Sequence, residues 1–405
     1  MRSVWWWLIG LLALLSLVMR YNLLFLMSLL LALVGGASAL WARYCLSEVT
    51  YVRSFGSTHL FYGDETTLDI EITNAKPLPL PWLRAEDEFP DKLEIVNTRM
   101  TNSYRPRRRV LTNLLSLRWY ERVTRHYRLK ATQRGAWQFG PLEIAAEDIF
   151  GFTMKNKVIE ESQTVLVYPR VVPLTVLGLP ARHPFGDYKT PRRVMEDPLR
   201  LMGARAYAPG DSQRYIHWKA SARQGTLQTK MFEPSASRPV AIFLNVNTFD
   251  HIWEGVDHAL QELAITTAAS LANYSWDNGY SIGLYVNSIA HPGGERIRIR
   301  PGRHSDQLIW VFEALAKVVE YGRWPLEAVV QTEATSLAYG TTVIVVTPRV
   351  NDALLQAMTD LRRREHGVVL VTVAAERLAE PPPGIMYYHV AGDEVWSEVE
   401  ALQLA

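Results

Sequence analysis

Residue types that can do chemistry or bind anions are concentrated between positions 205 and 223. The stretch contains Arg205, Tyr207, Gly210, Asp211, Arg214, Ile216, His217, Trp218, Lys219, Ser221 and Arg223. From residue 192 to residue 230 there are eight Lys or Arg residues against three Asp or Glu residues. Guanidinium and ammonium groups both pair with carboxylates and phosphates, so the segment is able to bind anions.

Two functional interpretations of this segment involve its reactive or basic side chains. His217 and Ser221 stand four residues apart with Asp211 nearby, so on a helix they would share one face and could act as a base and a nucleophile in a hydrolase. Nothing in the sequence supplies an oxyanion hole or a strained elbow beside them. Nucleic-acid binding is the other interpretation, and it requires Arg192, Arg193, Lys219 and Arg223 on one open face.

A structural interpretation is favoured over both. In it Ile216 and Trp218 pack in a core, while the arginines at 205, 214 and 223 pair with Asp211, Glu233 or main-chain carbonyls. Pro209-Gly210-Asp211 predicts a turn, and Asp211 is expected to cap a helix that begins near Ser212. The segment would then act as a clamp between the domains that flank it.

The motifs of common enzyme classes are absent from the chain. The sequence contains no G-x-G-x-x-G, no G-x-x-x-x-G-K-[ST], no H-E-x-x-H and no G-x-S-x-G. Cys45 is the only cysteine, which excludes an intramolecular disulfide and a multi-cysteine metal site. The 405 residues carry a formal charge of only +2, so overall charge indicates no particular partner.

The amino-terminal segment has the composition of a membrane anchor. Between Val4 and Trp41 the only charged residue is Arg20, which divides the tract into two candidate spans, 4–19 and 21–41. A cleaved signal peptide ending at Ala37-Ser38-Ala39 is the alternative, but its apolar region would be far too long. Positive charge at Arg2 and Arg43 predicts a two-pass protein of the inner membrane with its soluble domains in the cytoplasm.

Residues 46–172 follow a period of two, as in Leu68, Ile70 and Ile72, which predicts an antiparallel β-sandwich. The prolines at 77, 79 and 81 are assigned to a loop or an edge strand. Four arginines at 105, 107, 108 and 109 are interpreted as a solvated hairpin tip, with lipid headgroup contact as the alternative.

After residue 235 continuous apolar runs alternate with helical patterns. Strands are expected at 239–246, 280–286, 341–347 and 367–373, and helical faces near 256–271, 308–319 and 354–361. This alternation predicts a doubly wound α/β domain, with ligands beyond the carboxyl ends of its strands. The predicted organisation is a transmembrane hairpin at 1–45, a β-sandwich at 46–172, a linker with the signature segment at 173–235, and the α/β domain at 236–405.

Residues 205–223 resemble the signature R-x-Y-x-x-G-D-x-x-R-x-I-H-W-x-x-S-A-R of domain-of-unknown-function family fifty-eight, without a gap. Similar upstream elements are Arg134-Gly135, Gly140-Pro141, Asp148-Ile149-Phe150-Gly151 and Val167-Tyr168-Pro169, with Ile149 where the family usually has proline. The resemblance implies an N-terminal membrane hairpin, an immunoglobulin-like sandwich and a von Willebrand factor A-like α/β domain. It also implies kinship with proteins encoded beside MoxR-type AAA+ ATPases and thought to act in assembly or chaperoning.

The family's α/β domain often resembles a metal-ion-dependent adhesion motif, D-x-S-x-S, after its first strand. The matching positions here are Asn245, Asn247 and Phe249, and Arg349 follows a neighbouring strand. Divalent cations prefer charged oxygen ligands, so the sequence predicts no metal and no cofactor at this site.

Together these observations predict a membrane-anchored, non-enzymatic interaction or scaffold protein. The expected partners are the membrane, a MoxR-type AAA+ ATPase and other membrane-associated proteins, with no nucleic acid. The expected interaction residues are Arg205, Tyr207, Gly210, Asp211, Arg214, His217, Trp218, Lys219, Ser221 and Arg223. The hydrolase and nucleic-acid interpretations remain the alternatives.

Overall fold

The computed structural model describes residues 2–96, 98–151, 153–180, 196–208, 211, 213–234 and 239–392. The chain divides into two compact units, Met1–Tyr168 and Pro169–Ala405.

The first unit begins with two apolar helices, α1 (Arg2–Met19) and α2 (Asn22–Tyr44), which contact each other. Arg20, with a φ of 48°, and the extended Tyr21 separate them. The 23 residues of α2 rise about 34 Å at 1.5 Å per residue, against a hydrocarbon core of roughly 30 Å. By length and composition α2 is able to cross a membrane.

Twelve strands follow in the same unit: β1 (Val49–Phe55), β2 (His59–Leu60), β3 (Glu65–Asn74), β4 (Leu80–Pro90), β5 (Glu94–Ile95), β6 (Thr101–Asn102), β7 (Arg108–Leu117), β8 (Arg122–Lys130), β9 (Gly135–Phe139), β10 (Leu142–Glu147), β11 (Met154–Ile159) and β12 (Gln163–Val167). They form three sheets, in the orders β1-β3-β8-β5, β11-β10-β4-β7-β6 and β2-β12-β9. All pairings are antiparallel except that of β2 with β12.

The alternation of apolar residues explains how these strands enclose one core. In β3 the side chains of Leu68, Ile70 and Ile72 are buried, while the acidic residues between them are partly exposed. Successive side chains of a strand point to opposite faces, so one face of each sheet can be apolar. The predicted antiparallel sandwich is therefore confirmed.

One proline departs from the prediction. Pro81 lies inside β4, which has neighbours on both sides, whereas Pro77 and Pro79 lie in the preceding loop. The register between β4 and β7 shifts between Leu80 and Leu83. A bulge of this kind leaves one residue out of the hydrogen-bond ladder, which is where a strand tolerates proline.

The arginine run extends from the turn between β6 and β7 into the first two residues of β7. Arg105 and Arg108 both pair with Glu88, and Arg105 is exposed. This turn adjoins Pro90 at one end of β4, whereas the Trp41 indole of α2 donates to the carbonyl of Pro79 at the other. Ten residues of strand span about 33 Å. The arrangement favours a solvated tip over contact with the membrane that α2 would cross.

The second unit contains β13 (Glu196–Ala206), α3 (Trp218–Gln224), β14 (Gln228–Pro234), β15 (Pro239–Leu244), α4 (His258–Asp277), β16 (Ser281–Ile289), β17 (Arg296–Gly302), α5 (Gln307–Ala316), α6 (Leu326–Ala334), β18 (Thr342–Thr347), α7 (Asp352–Arg363), β19 (Gly367–Ala374) and β20 (Met386–Ala391). Strands β13 and β14 form an antiparallel pair. The other six form one sheet in the order β17-β16-β15-β18-β19-β20, parallel except for β17.

The six-stranded sheet is buried on both faces. Ala241 and Phe243 of β15 belong to a core shared with α6 and α7. The alternating residues Val240 and Ile242 are fully buried on the opposite face, and α4 also packs on this strand. The four inner strands, β15, β16, β18 and β19, are therefore mainly apolar runs, as expected for parallel strands between helices.

Candidate functional site

An arginine–aspartate pair closes the loop at the start of the signature segment. The guanidinium of Arg205 donates to both carboxylate oxygens of Asp211, at 2.8 and 2.6 Å. Asp211 also accepts the N–H of Ala208 at 3.0 Å and the hydroxyl of Thr229 at 3.2 Å. The hydrogen bond from Arg205 holds the pKa of Asp211 at about 2, below its usual value. The predicted pairing of Arg205 with Asp211 is present, and the carboxylate is charged at neutral pH.

The helix of this segment begins later than predicted. Residues Gln213–Tyr215 form a short 3₁₀ helix, and α3 starts at Trp218. Its cap is His217, whose Nδ1 accepts the N–H of Ala220 at 3.2 Å. The expectation that Asp211 caps a helix near Ser212 is wrong, because its carboxylate is bonded to Arg205 and Ala208. Gly210 and Ser212 lie outside the described residues.

Ser221 joins α3 to β14 through its hydroxyl. The Oγ atom donates to the main-chain oxygen of His217 at 3.1 Å and accepts the N–H of Gln228 at 2.9 Å. The imidazole Nδ1 of His217 is bonded to Ala220. The hydroxyl therefore donates to a carbonyl and not to the imidazole, and the pair lacks the geometry of a nucleophile with its base.

Four exposed side chains of the segment, three cationic and one aromatic, are here called the signature face: Arg214, Trp218, Lys219 and Arg223. All four are exposed, and Trp218 has 69% of its surface accessible. The expectation that Trp218 is buried is wrong. Ile216 takes the buried position because its backbone bridges to Thr229 of β14, whereas Trp218 begins the helix that follows.

Three other predicted residues of the segment, Tyr207, Lys219 and Arg223, lie within the described part of the chain. Tyr207 is half-buried, and its hydroxyl donates to the main-chain oxygen of Asp211 at 3.3 Å. Lys219 and Arg223 lie on one short helix, while Arg192 and Arg193 lie outside the described residues. That the segment fixes the α/β domain to the sandwich stays a prediction.

These contacts predict that two alanine substitutions in the segment change its stability by unequal amounts. Ser221→Ala removes two hydrogen bonds and is expected to destabilise the α3–β14 junction by about 1–2 kcal/mol. Trp218→Ala removes an exposed ring and is expected to change stability by less than about 0.5 kcal/mol. Hydrogen exchange of the Gln228 amide measures the difference. Equal exchange in the two variants would contradict this assignment.

A network of amide side chains holds together the loops at the carboxyl ends of the central strands. Asn245 Oδ1 accepts the N–H of Asn247 at 3.1 Å and the amide of Asn287 at 2.8 Å, and its Nδ2 donates to Thr347 at 3.0 Å. Asn247 Oδ1 accepts the N–H of Gly322 at 2.8 Å. The amide oxygens that were candidate ligands are thus already bonded within the protein.

This network borders a cleft of about 320 Å³ at the carboxyl ends of the central strands β15 and β18. Phe249 lines it and is exposed, and the Arg349 guanidinium pairs with the Asp250 carboxylate. Divalent cations require several hard, preferably charged, oxygen ligands. Neutral amides already engaged in hydrogen bonds, with a guanidinium beside them, do not fit such an ion. These contacts favour the expectation that Asn245, Asn247 and Phe249 hold no metal, which stays a prediction.

The bonded amides at Asn245 and Asn247 predict that the α/β unit does not depend on a divalent ion at this cleft for its stability. A ligand stabilises the native state only if it binds that state preferentially. Thermal melts of the protein with chelator and with excess Mg²⁺ are expected to coincide. A melting temperature that rises with Mg²⁺ concentration would overturn this prediction.

The sequence interpretation missed Asn287, which is central to the network. It is fully buried, accepts the N–H of Val246 at 3.0 Å, and donates to Asn245 and to the carbonyl of Trp324. Its signal in the sequence is a single amide within the apolar run of β16. Buried amides of this kind are generally fully hydrogen-bonded.

Comparison with known proteins finds a family model that part of the second unit matches. Residues 203–383 match the model of the family described as "Protein of unknown function DUF58". The "Uncharacterized protein YeaD" of Bacillus subtilis (strain 168) is 27% identical over 249 residues, which cover 61% of this chain and 58% of that protein. The match thus spans less than two thirds of the relative's length.

Solved structures with a detectable likeness resemble only a part of the chain. A cohesin module from a Clostridium perfringens family 33 glycoside hydrolase is 10% identical and covers 29% of this chain and 96% of its own, with a TM-score of 0.21. A type II cohesin domain from Acetivibrio cellulolyticus is 12% identical and covers 30% and 95%, with a TM-score of 0.21. At these scores the likeness carries no functional inference.

Proposed function

We propose that this chain, whose residues 203–383 match the model of the DUF58 family, is a membrane-anchored interaction protein with no catalytic role. It uses the signature face to bind a MoxR-type AAA+ ATPase in the assembly or chaperoning of membrane complexes. The observation that carries the proposal is the exposure of Trp218 beside Arg214, Lys219 and Arg223. Residues with reactive groups in the same segment are instead engaged in structural hydrogen bonds.

The anchoring part of the proposal depends on the two N-terminal helices. Helix α2 has the length and composition of a span, and α1, with 18 residues, packs beside it. We assign both helices to the membrane as a two-pass hairpin that turns at Arg20. Arg2 and Arg43 near the outer ends of the helices favour placing both ends in the cytoplasm.

The interaction part depends on the chemistry and the support of the signature face. Arginine and tryptophan are the residue types that most often dominate binding energy at protein interfaces. The short helix that presents Trp218 is fixed at both ends, by the His217 cap and by Gly225 in a left-handed conformation. A supported surface loses little conformational entropy on binding. Its charge matches a partner with acidic side chains around an apolar contact.

The α/β unit supports the same role, and we assign it to the von Willebrand A-like class. Its first strand, β15, lies in the middle of the sheet, and the antiparallel β17 lies at one edge. The chemistry of Asn245 and Asn247 does not suit a metal ion, so a partner at the carboxyl end of β15 would be bound without one. The sandwich unit, which the family resemblance implies to be immunoglobulin-like, carries the two helices assigned to the membrane.

Photo-crosslinking in native membranes tests the proposal. A photoreactive amino acid in place of Trp218 is expected to give a covalent adduct with a MoxR-type ATPase. The matched control places the same amino acid at Tyr104, which is 86% exposed in the sandwich unit. An adduct at neither position, or an equal adduct at both, would contradict the proposed interface. An RNA or DNA adduct at position 218 would favour nucleic-acid binding instead.

A further inference from the structure

The turn between β10 and β11 is fastened to α2 by polar contacts. Ser38 of α2 donates to the carboxylate of Asp148, and its Oγ lies 3.1 Å from the hydroxyl of Thr153. Asp148 is buried and also accepts the N–H of Thr153 at 3.2 Å. The turn is therefore held at a defined height along the helix.

The β10–β11 turn contacts α2 within the helix and not beyond its last residue. Ser38 precedes the last residue of α2, Tyr44, by six residues, or about 9 Å along the axis. A span of about 34 Å exceeds the hydrocarbon core by only a few ångströms. If α2 crosses the bilayer, the turn lies at the boundary between the acyl chains and the headgroups.

The side chains at this height are apolar and exposed. Ile149 is 72% exposed, Phe150 is 51% exposed and Leu40 of α2 is 63% exposed. Together with Trp41 they border an apolar cleft of about 610 Å³ between α2 and the sandwich. A contiguous apolar patch of this kind on a folded surface usually marks an interaction site.

Cationic side chains stand beside this apolar patch. Arg43 of α2 and Lys155 and Lys157 of β11 are exposed and border a second cleft, of about 580 Å³. Strand β11 is at the edge of its sheet. Basic side chains next to a membrane segment attract anionic headgroups by about 1 kcal/mol each, or about fivefold in binding.

We propose that the β10–β11 turn is a second membrane contact. Ile149 and Phe150 insert into the interfacial layer, and Arg43, Lys155 and Lys157 bind the phosphates of anionic phospholipids in the same leaflet. The inference rests on the proposed anchoring by α2. It fixes the sandwich unit to the bilayer surface, so that the unit does not tumble freely on its helix.

Depth-dependent quenching tests insertion in the full-length protein. Cys45, the only cysteine, is replaced by alanine, and a bimane label is placed through Ile149→Cys in lipid nanodiscs that contain phosphatidylglycerol and brominated lipid. Leu30→Cys in the middle of α2 and Tyr104→Cys at the other end of the sandwich are the matched controls. Quenching is expected to be strong at Leu30, intermediate at Ile149 and absent at Tyr104.

The two controls separate the inference from the anchoring it rests on. An unquenched label at Leu30 would show that α2 does not cross the bilayer. Quenching at Leu30 together with an unquenched Ile149 label would overturn the second contact while leaving the anchor intact.

The lipid charge is tested in the Ile149→Cys protein. Lys155→Gln with Lys157→Gln is expected to lower the equilibrium constant for insertion about 25-fold in phosphatidylglycerol discs and to leave it unchanged in phosphatidylcholine discs. Lys130→Gln, an exposed lysine on β8 at the other end of the sandwich, is the control and is expected to have no effect. Equal quenching of the double variant and its parent in phosphatidylglycerol would overturn the phosphate contact.

Discussion

Replacing Asp87 with asparagine is expected to destabilise the sandwich unit by about 3–5 kcal/mol, because it leaves a buried guanidinium without its counter-ion. The Asp87 carboxylate is fully buried and accepts two hydrogen bonds from Arg53, at 2.6 and 3.0 Å, and one from the Tyr51 hydroxyl, at 2.8 Å. Burial, with the adjacent Asp87 carboxylate, raises the pKa of Tyr51 well above its usual value. The tyrosine therefore stays protonated at neutral pH and donates its hydroxyl hydrogen to Asp87.

The measurement is hydrogen exchange of peptides from β1 and β4, which reports the stability of this unit within the whole chain. The control is Arg122→Ala, which breaks the exposed pair with Glu71 and is expected to cost less than about 1 kcal/mol. Similar protection losses for Asp87→Asn and Arg122→Ala would contradict the assignment of the Arg53–Asp87 pair to the core.

Asn287→Leu is expected to destabilise the α/β unit by about 3 kcal/mol or more. The substitution leaves the N–H of Val246, the amide oxygen of Asn245 and the carbonyl of Trp324 each without this partner. An unsatisfied buried polar group costs about 1–3 kcal/mol. Leucine has a similar volume, so the effect isolates hydrogen bonding from packing.

Hydrogen exchange of β15 and β16 measures this loss, with Asn273→Ala as the control. Asn273 lies on α4, and its side-chain amide donates to the exposed carboxylate of Asp277. Its replacement is expected to change stability by less than about 0.5 kcal/mol. A neutral Asn287→Leu variant would show that the amide network does not hold the strand ends together.

Apolar periodicity predicted the elements that lie inside the two cores. The expected strand at 239–246 is β15 (Pro239–Leu244), and the one at 367–373 is β19 (Gly367–Ala374). Both are continuous apolar runs between helices, for which pattern and burial agree. The sequence interpretation missed β17 and β20, the two edge strands, and the short helix α6. In β17 exposed arginines alternate with the buried Ile297 and the partly buried Ile299, so the strand carries only half of the apolar signal.

The roles of the signature residues depended on contacts that local sequence does not contain. The structural role of Ser221 depends on Gln228, seven residues later, whose N–H donates to the serine hydroxyl across the junction of a helix and a strand. Asp211 would be a reasonable helix cap by type, but Arg205 and Thr229 take its carboxylate. Trp218 is exposed because α3 begins with it, and no residue pattern fixed that boundary. The motif can be recognised in the sequence. Which of its side chains form hydrogen bonds within the protein and which are exposed can be read only from the folded structure.

Binding of the full-length chain in nanodiscs to a purified MoxR-type ATPase from the same organism tests the central claim most directly. Lys219→Glu with Arg223→Glu reverses two charges on the signature face. Arg363→Glu, a 77% exposed arginine of α7, is the matched control in the same unit. We expect the double variant to weaken binding at least about tenfold, with the larger loss at low salt, and the control to bind as the parent does. Equal affinity of the double variant and the parent, or no binding by the parent, would contradict the claim that this face binds the ATPase.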